Sequence, residues 1–257
     1  MRSVTIQVPT VTFADIGGYQ QVKQQIMQAI DWPQKYGESL KNLGLETPKG
    51  IILYGPPGCC KTMLAKAVAN ETSTNFLSIN ASELMSKYVG ESEKSIRRYF
   101  LRARAAAPAI IFFDEFDSIA SKRSSGEENA KYQDSIIGTL LTEIDGIEPL
   151  NNVVIIAATN RIDKIDEALL RPGRFDRKIL VDRPNCDDRH EIIEILCKKY
   201  KIDMSKSKLN AKDFEGLSGA EIVNAFKEAG LRSFAENMHT DCINIDYIAE
   251  HVRNLSI

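Results

Sequence analysis

Short apolar runs alternate with longer helical patterns through the first two-thirds of the chain, and each run predicts a buried strand. Two of them, Ile110–Phe113 and Val153–Ala158, are wholly apolar, as expected for strands that are covered on both faces. Strands that alternate with helices indicate a parallel α/β sheet with helices on both sides. The pattern predicts five strands, at Ile51–Tyr54, Phe76–Ile79, Ile110–Phe113, Val153–Ala158 and Lys178–Val181.

The pattern changes after Pro184, because helical periodicity continues there without a convincing strand. We therefore predict an α/β domain over residues 1–184 and a small all-helical domain over residues 185–257. The polar stretch 121–129 is predicted to be a loop within the first domain rather than a boundary. Helices are predicted at Lys61–Thr72, Glu91–Ala107, His190–Tyr200, Gly219–Asn237 and Ile245–Leu255.

Composition excludes several classes of protein. The chain has 257 residues, with 33 Lys and Arg against 35 Asp and Glu, for a net charge of −2. This balance argues against a generic nucleic-acid coat or a binder of anionic membranes. No apolar run approaches the ~18 residues of a membrane span. The 5 cysteines form no CxxC pair and the 3 histidines are scattered, so we expect reduced thiols in an intracellular, cytoplasmic protein.

The segment 55–62, with the sequence GPPGCCKT, lies between a predicted strand and a predicted helix. Glycines let such a loop wrap a phosphate closely, Lys61 would reach the β- and γ-phosphates, and the Thr62 hydroxyl would bind Mg²⁺. Cys60 departs from the pattern G-x-x-x-x-G-K-[ST], because it stands where the second glycine is expected, and its Cβ restricts the backbone. The alternative is a proline-rich turn that happens to precede Lys-Thr.

Two carboxylates, Asp114 and Glu115, directly follow the apolar run Ile110–Phe113. Open α/β sheets place their ligands at the carboxyl ends of strands. Asp114 can therefore hold Mg²⁺, and Glu115 can accept a proton from the water that attacks the γ-phosphate. The alternative is a strand end whose acids merely begin the next helix, a role that Asp117 could also serve.

Two further segments carry weaker signals. Asn160 follows the strand Val153–Ala158 and could orient the attacking water, although asparagine is common in turns. Arg171 and Arg174 lie in the segment 171–177, with the sequence RPGRFDR. Arginine stabilises charge on a phosphoryl group in transfer. The alternative is that these arginines pair with Asp176 or Asp163 on the surface.

Taken in order, these motifs resemble an AAA ATPase domain of the type II, valosin-containing-protein-like group. The resemblance extends from Asp15-Ile16-Gly17-Gly18 to Leu217-Ser218-Gly219-Ala220. It is greatest to the second ATPase domain of the relatives that act in ribosome maturation, to which the segment 88–93, YVGESE, and the loop PGCCKT also point.

The resemblance implies a P-loop NTPase fold with a helical lid, ATP and Mg²⁺ as ligands, and a hexameric ring that acts on protein substrates. The narrower resemblance implies pre-ribosomal particles as partners and the nucleus as a further location. Glu115 would be the catalytic base, Asn160 the polar sensor, and Arg171 and Arg174 the fingers that reach a neighbouring subunit's nucleotide. Tyr88 and Val89 would form a pore loop, and Asp145-Gly146 would relay nucleotide state between subunits. The nucleotide would contact Asp15, Ile16, Gly17, Pro57, Gly58, Cys59, Cys60, Lys61, Thr62, Met63, Asp114, Ile192, Leu196, Gly219 and Ala220. No sensor arginine is expected after Ala220, because Glu221 stands there.

Three functions are weighed on this basis. The leading one is an ATP-driven machine that unfolds or remodels protein complexes. A nucleic-acid motor would rely on the basic residues of the helix at 91–107, which we expect to spread around its axis as a solvated or subunit-facing surface. A ring-forming structural domain with weak hydrolysis is the third function, which Cys60 keeps open. The basic residues in question are Lys94, Arg97, Arg98, Arg102 and Arg104.

Overall fold

A computed structural model describes residues 9–45, 48–84, 91–121, 127–146, 152–202, 209–236 and 243–255. The chain divides into two compact units. The first unit comprises Met1–Thr12, Gln21–Gly55 and Lys61–Leu180, and the second comprises Phe13–Gln20, Pro56–Cys60 and Val181–Ile257. Part of the predicted phosphate loop, residues 56–60, therefore groups with the second unit.

The first unit is built on a parallel five-stranded sheet, as the sequence predicts. Its strands follow the order β2-β3-β4-β1-β5, and β1 pairs with both β4 and β5. The strands are β1 (Gly50–Tyr54), β2 (Asn75–Asn80), β3 (Ala109–Asp114), β4 (Val153–Thr159) and β5 (Phe175–Leu180). The seven residues of β4 are all buried, because β4 lies in the middle of the sheet with neighbours on both sides.

Strand β5 differs from its prediction at Lys178–Val181. It begins at Phe175 and ends at Leu180, and the three consecutive residues 176–178 are exposed. This strand lies at the edge of the sheet. An edge strand is covered less completely than a central one, so the apolar run that marks a buried strand is missing over its first half.

The helices of the first unit are α1 (Gln20–Asn42), α2 (Lys61–Glu71), α3 (Ala81–Leu84), α4 (Glu91–Ala105) and α5 (Glu127–Asp145). Helix α1 was not predicted; it contains Pro33 and a non-helical residue at Tyr36, and this interruption obscures its periodicity. The predicted loop at 121–129 is wrong at its end, because residues 127–129 are helical; residues 122–126 lie outside the described part of the chain. Helix α4 ends at Ala105, two residues before its predicted end.

The described residues of the second unit are helical and contain no strand, in agreement with the predicted helical C-terminal part. Its helices are α6 (Cys186–Lys199), α7 (Gly219–Glu236) and α8 (Ile245–Leu255), with a short 3₁₀ turn at Ala211–Phe214. Helix α6 begins four residues before the predicted His190, because Asn185 and Asp188 form a capping box. The core of this unit includes Phe214, Ile222, Phe226 and Ile248.

In the part of the chain that the structure describes, no helix is both long enough and apolar enough to cross a membrane.

Candidate functional site

The first unit brings together the carboxyl ends of three neighbouring parallel strands. Tyr54, the last residue of β1, is in register with Thr159, the last residue of β4. Strand β3 pairs with the other side of β4 and ends at Asp114. The polar residues that follow these strands therefore lie along one edge of the sheet, which is where open α/β sheets place their ligands.

Two polar contacts connect the start of α2 to this edge. The Thr62 hydroxyl donates a hydrogen bond of 2.9 Å to Oδ2 of Asp114. The Lys61 side chain, which is only 8% exposed, donates from Nζ to the carbonyl oxygen of Gly55 at 2.9 Å. The structure thus joins Thr62 and Asp114, two predicted site residues that are 52 positions apart.

Glu115 has an unusual backbone conformation. Its φ of 52° and ψ of 44° lie in the left-handed region, which is uncommon for a residue with a side chain. Its backbone N–H donates to Oδ1 of Asp114 at 3.1 Å, and Glu115 itself is exposed. Strained backbone of this kind concentrates at functional sites, and here it occurs at the carboxylate that the sequence identifies as a candidate base.

Asp117 and Thr159 form a link that sequence analysis missed. The Thr159 hydroxyl donates to Oδ1 of Asp117 at 2.7 Å and accepts the backbone N–H of Arg161 at 2.9 Å. These two bonds fix the turn that carries the exposed Asn160. Asp117 therefore joins the ends of two strands, and Glu115, not Asp117, occupies the cap position of the 3₁₀ turn that follows β3. A threonine directly before Asn160 was the only local signal.

The two predicted finger arginines have different surroundings. Arg171 is exposed. The Arg174 guanidinium donates from Nε to Oδ2 of Asp145 at 2.8 Å and from Nη1 to the Ala168 carbonyl at 2.5 Å. The surface pairing with Asp176 involves only the backbone N–H of Arg174. The guanidinium thus pairs with Asp145, the predicted relay residue at the end of α5.

In the second unit, the loop residues 56–60 pack against the start of α7. The Ala220 N–H donates to the Gly58 carbonyl at 3.0 Å, and a Cβ at Gly58 would come within 2.7 Å of the Ser218 hydroxyl. Cys60 has a φ of 58°, so a side chain occupies a left-handed position that favours glycine. A Cβ at Gly219 would lie 3.3 Å from Sγ of Cys60, which places this thiol against α7.

The segment around Gly17 packs against α6. A Cβ at Gly17 would come within 2.4 Å of the Ile192 nitrogen. The Gly18 N–H donates to Oε2 of Glu191 at 2.8 Å, and the Tyr19 N–H donates to Oδ1 of Asp188 at 2.7 Å. Burial raises the pKa of Tyr19 far above its ordinary value.

The remaining predicted residues are distributed as follows. Ile192 and Leu196 are buried in the core of the second unit. Asp15 and Pro57 are exposed, and Met63 is 37% exposed. Cys59 is buried, and none of the described cysteines, Cys59, Cys60, Cys186 and Cys197, forms a disulfide. The predicted pore-loop residues Tyr88 and Val89 lie outside the described residues.

Comparison with known proteins identifies the family to which this arrangement corresponds. The family described as ATPase family associated with various cellular activities (AAA) matches residues 51–183. Human ATPase family gene 2 protein homolog A is 47% identical over 95% of this chain and 27% of its own length. ATPase family gene 2 protein of Schizosaccharomyces pombe is 46% identical over 93% of this chain and 29% of its own length.

A third relative comes from Archaeoglobus fulgidus. The cell division cycle protein 48 homolog of Archaeoglobus fulgidus is 47% identical over 92% of this chain and 32% of its own length. The chain thus spans less than a third of the length of these three relatives. The similarities confirm the resemblance to an AAA ATPase domain that the motifs indicate.

Proposed function

This chain belongs to the AAA family of ATPases, and from that premise we propose that it hydrolyses ATP to remodel or unfold protein complexes. The observation that carries the proposal is the contact between Thr62 and Asp114 at 2.9 Å. A hydroxyl at the start of the phosphate-loop helix and an acid at the end of the neighbouring strand are the pair that P-loop ATPases use for a nucleotide-bound magnesium ion.

The oxygen atoms of Thr62 and Asp114 fit Mg²⁺. This ion prefers oxygen ligands, and it is bound through one or two protein groups together with substrate phosphates rather than by an all-protein cage. Thr62 and Asp114 would hold the ion, which supplies neutralisation of charge on the phosphates.

Lys61 is proposed to bind the phosphates of ATP, and Glu115 is proposed to act in the hydrolysis step. Lys61 Nζ would exchange the Gly55 carbonyl for the β- and γ-phosphates of ATP, because a phosphate is a stronger acceptor for an ammonium group. The Glu115 carboxylate would accept a proton from the attacking water. Asn160, held by the turn at Thr159, would orient that water.

The second unit is proposed to bind the base and ribose of ATP. Gly17 lies against the backbone of Ile192, so the segment that contains Asp15 and Ile16 has a fixed position beside α6. The Gly58 carbonyl is held by a hydrogen bond from the N–H of Ala220. The residues proposed to contact the base and ribose are Asp15, Ile16, Gly17, Ile192, Leu196, Gly219 and Ala220. The residues proposed to lie nearer the phosphates are Pro57, Gly58, Cys59, Cys60 and Met63.

We propose that Arg171 and Arg174 act on the nucleotide of a neighbouring copy in a hexameric ring. The Asp145 carboxylate holds the Arg174 guanidinium within the single chain. Ring assembly would offer this guanidinium a phosphoryl group as a competing partner, so Asp145-Gly146 would respond to the neighbour's nucleotide.

Protein complexes are the proposed substrates, with Tyr88 and Val89 as the residues that grip them. The proposed intracellular location rests on the reduced cysteines, whereas a nuclear location and a role on pre-ribosomal particles rest on the sequence resemblance alone.

The proposal is tested by Mg²⁺-dependent ATP hydrolysis measured over a range of protein concentrations. Activity per subunit is expected to rise with concentration if the arginines act between copies. Glu115→Gln should lower kcat by about 10²–10⁴-fold while ATP still binds, because general base catalysis contributes that much. Glu38→Gln, an exposed carboxylate on α1, is the matched control and should leave kcat unchanged. Specific activity that is constant on dilution would contradict the role between copies.

A second candidate is a structural domain that binds nucleotide only to hold a ring together. The observation in its favour is the φ of 58° at Cys60, since a side chain at this position constrains the phosphate loop. This candidate would be established if the chain binds ATP without hydrolysing it at any protein concentration. Glu115→Gln should then have no effect on either ATP binding or hydrolysis.

A further inference from the structure

Helix α4 has its exposed basic residues on one side, whereas the sequence analysis expected a solvated surface that spreads around the axis. Its buried positions are Ser92, Ile96, Phe100 and Ala103. Lys94, Arg97, Arg98, Leu101 and Arg102 are all exposed. The expectation that these cations spread around the axis is wrong, because positions i, i+3, i+4, i+7 and i+8 share one side of an α-helix. Arg104, seven residues after Arg97, lies at the margin of this side, where it is partly buried and pairs with Glu143 at 2.9 Å.

The basic face, defined as Lys94, Arg97, Arg98 and Leu101, contains three cations and no acidic residue. Like charges that are three or four residues apart repel one another, and Lys94 is followed by Arg97 and Arg98 at those spacings. Glu91 at the first position is the single acidic residue among the exposed positions of α4. A concentration of positive charge in a chain with a net charge of −2 indicates an anionic partner.

We propose that the basic face of α4 binds acidic, leucine-containing segments of the polypeptides on which this chain acts. The inference rests on the proposed function and specifies the chemistry of its substrate. Charge complementarity would bring the segment to the face, and Leu101, which is 63% exposed, would contact its apolar side chains. At the α-helical rise per residue, the four residues span about 11 Å along the helix axis. This length matches that of a short extended peptide segment.

The same face fits a single-stranded nucleic acid less well. Surfaces that bind such strands combine basic residues with aromatic side chains on which the bases stack. The exposed positions of α4 contain no aromatic residue, because Tyr99 is partly buried and Phe100 is buried. An exposed leucine among the cations offers nothing to a phosphate backbone, whereas it offers apolar contact area to a peptide.

The test is fluorescence anisotropy of a fluorescein-labelled peptide that repeats glutamate and leucine, titrated with the full chain in the absence of nucleotide. Binding is expected to be saturable and to weaken as sodium chloride is raised, because exposed charges are screened. Arg97→Glu with Arg98→Glu should weaken it by about tenfold or more. Lys198→Glu with Lys227→Glu, which reverses two exposed lysines of the second unit, should leave the affinity unchanged.

Milder variants separate the two kinds of contact. Leu101→Ser should weaken binding a few-fold and leave its salt dependence unchanged, because only apolar contact is lost. Arg98→Gln removes a charge without reversing it. These two variants decide the question if the double reversal fails to fold.

Three results would overturn the inference. They are absence of saturable binding, equal loss of affinity in the control variant, and tighter binding of oligouridylate through Arg97 and Arg98, which would assign the face to nucleic acid. Peptide binding and ATP hydrolysis are measured separately. A chain that hydrolyses ATP but ignores the peptide refutes this inference alone, and a chain that binds the peptide without hydrolysis refutes the proposed function.

Discussion

The hydroxyl of Thr159 donates a hydrogen bond of 2.7 Å to the carboxylate of Asp117, although the two residues are 42 positions apart. The bond joins the end of β4 to the turn that follows β3. Because Thr159 also accepts the N–H of Arg161, its hydroxyl holds both sides of the turn at Asn160. We identify Thr159 and Asp117 as positioning residues for the proposed sensor.

Replacement of the Thr159 hydroxyl by a methyl group should separate positioning from binding. Thr159→Val keeps the volume and β-branching but loses both hydrogen bonds, so we expect kcat to fall about tenfold with ATP affinity nearly unchanged. Steady-state hydrolysis and equilibrium nucleotide binding measure the two effects. Thr142→Val on the exposed side of α5 is the control. An equal loss of affinity and turnover in Thr159→Val would refute the positioning role.

The left-handed backbone of Cys60 predicts a stability difference between two small substitutions. Cys60→Gly removes the Cβ at a φ of 58°, whose strain costs roughly 1–2 kcal/mol. The greater freedom of glycine in the unfolded chain offsets about 0.5–1 kcal/mol of that gain. Cys60→Ala retains the Cβ and should give no gain. Chemical denaturation compares the free energies of unfolding, and an alanine variant as stable as the glycine variant would contradict the strain.

Gly17 is required by the close approach of α6. In Gly17→Ala the new Cβ would meet the backbone nitrogen of Ile192 at 2.4 Å, and a backbone atom cannot rotate away. We expect a loss of about 1–3 kcal/mol in the free energy of unfolding. Gly138→Ala on α5, where a Cβ meets nothing within 4 Å, should instead gain about 0.5–1 kcal/mol from helix propensity. Thermal and chemical denaturation of both variants tests this contrast.

The cap of α7 predicts an acid-dependent stability. Oε2 of Glu221 accepts the backbone N–H and the hydroxyl of Ser218, both at 2.7 Å, and these bonds lower the pKa of Glu221 below its ordinary value of 4.5. Because the folded state favours the charged form, its contribution to stability is complete above the ordinary value and is lost as the pH falls through the lowered pKa.

Glu221→Gln should therefore flatten the acid side of the stability curve. The free energy of unfolding of the unchanged chain should fall more steeply below pH 4.5 than that of the variant, as measured by denaturation at a series of pH values. Glu215→Gln, which alters an exposed carboxylate of the same unit, is the control. Parallel curves for Glu221→Gln and the unchanged chain would show that the cap does not couple to protonation.

Local patterns in the sequence determined much of this protein. Apolar runs fixed the central strands, because a strand that is buried on both faces can contain little else. Spacing alone identified Lys61 and Thr62 after the glycines of the loop, and the acids Asp114 and Glu115 after a buried run. Family membership followed from these same motifs and was confirmed by comparison.

Elements that lack such a local signal were missed or misplaced. Pro33 and the interruption at Tyr36 conceal the periodicity of α1, and the polar first half of β5 reflects its edge position. The basic face of α4 follows from the same 3.6-residue period that placed Ile96 and Phe100 in the core. That period was sufficient to predict the face. The expectation that the cations spread around the axis failed because the period was applied only to the apolar positions.

Tertiary structure decided which side chains meet. The partner of Arg174 is Asp145, 29 positions away, and neither Asp163 nor Asp176 could be excluded from the sequence. Gly17 needs to be a glycine because Ile192 lies against it, 175 positions along the chain. The sequence by itself determined the elements and the chemistry of the phosphate loop, because those depend on neighbours within a few residues. Folding alone determined the links between strand ends, because contacts across such distances leave no periodic trace in the sequence.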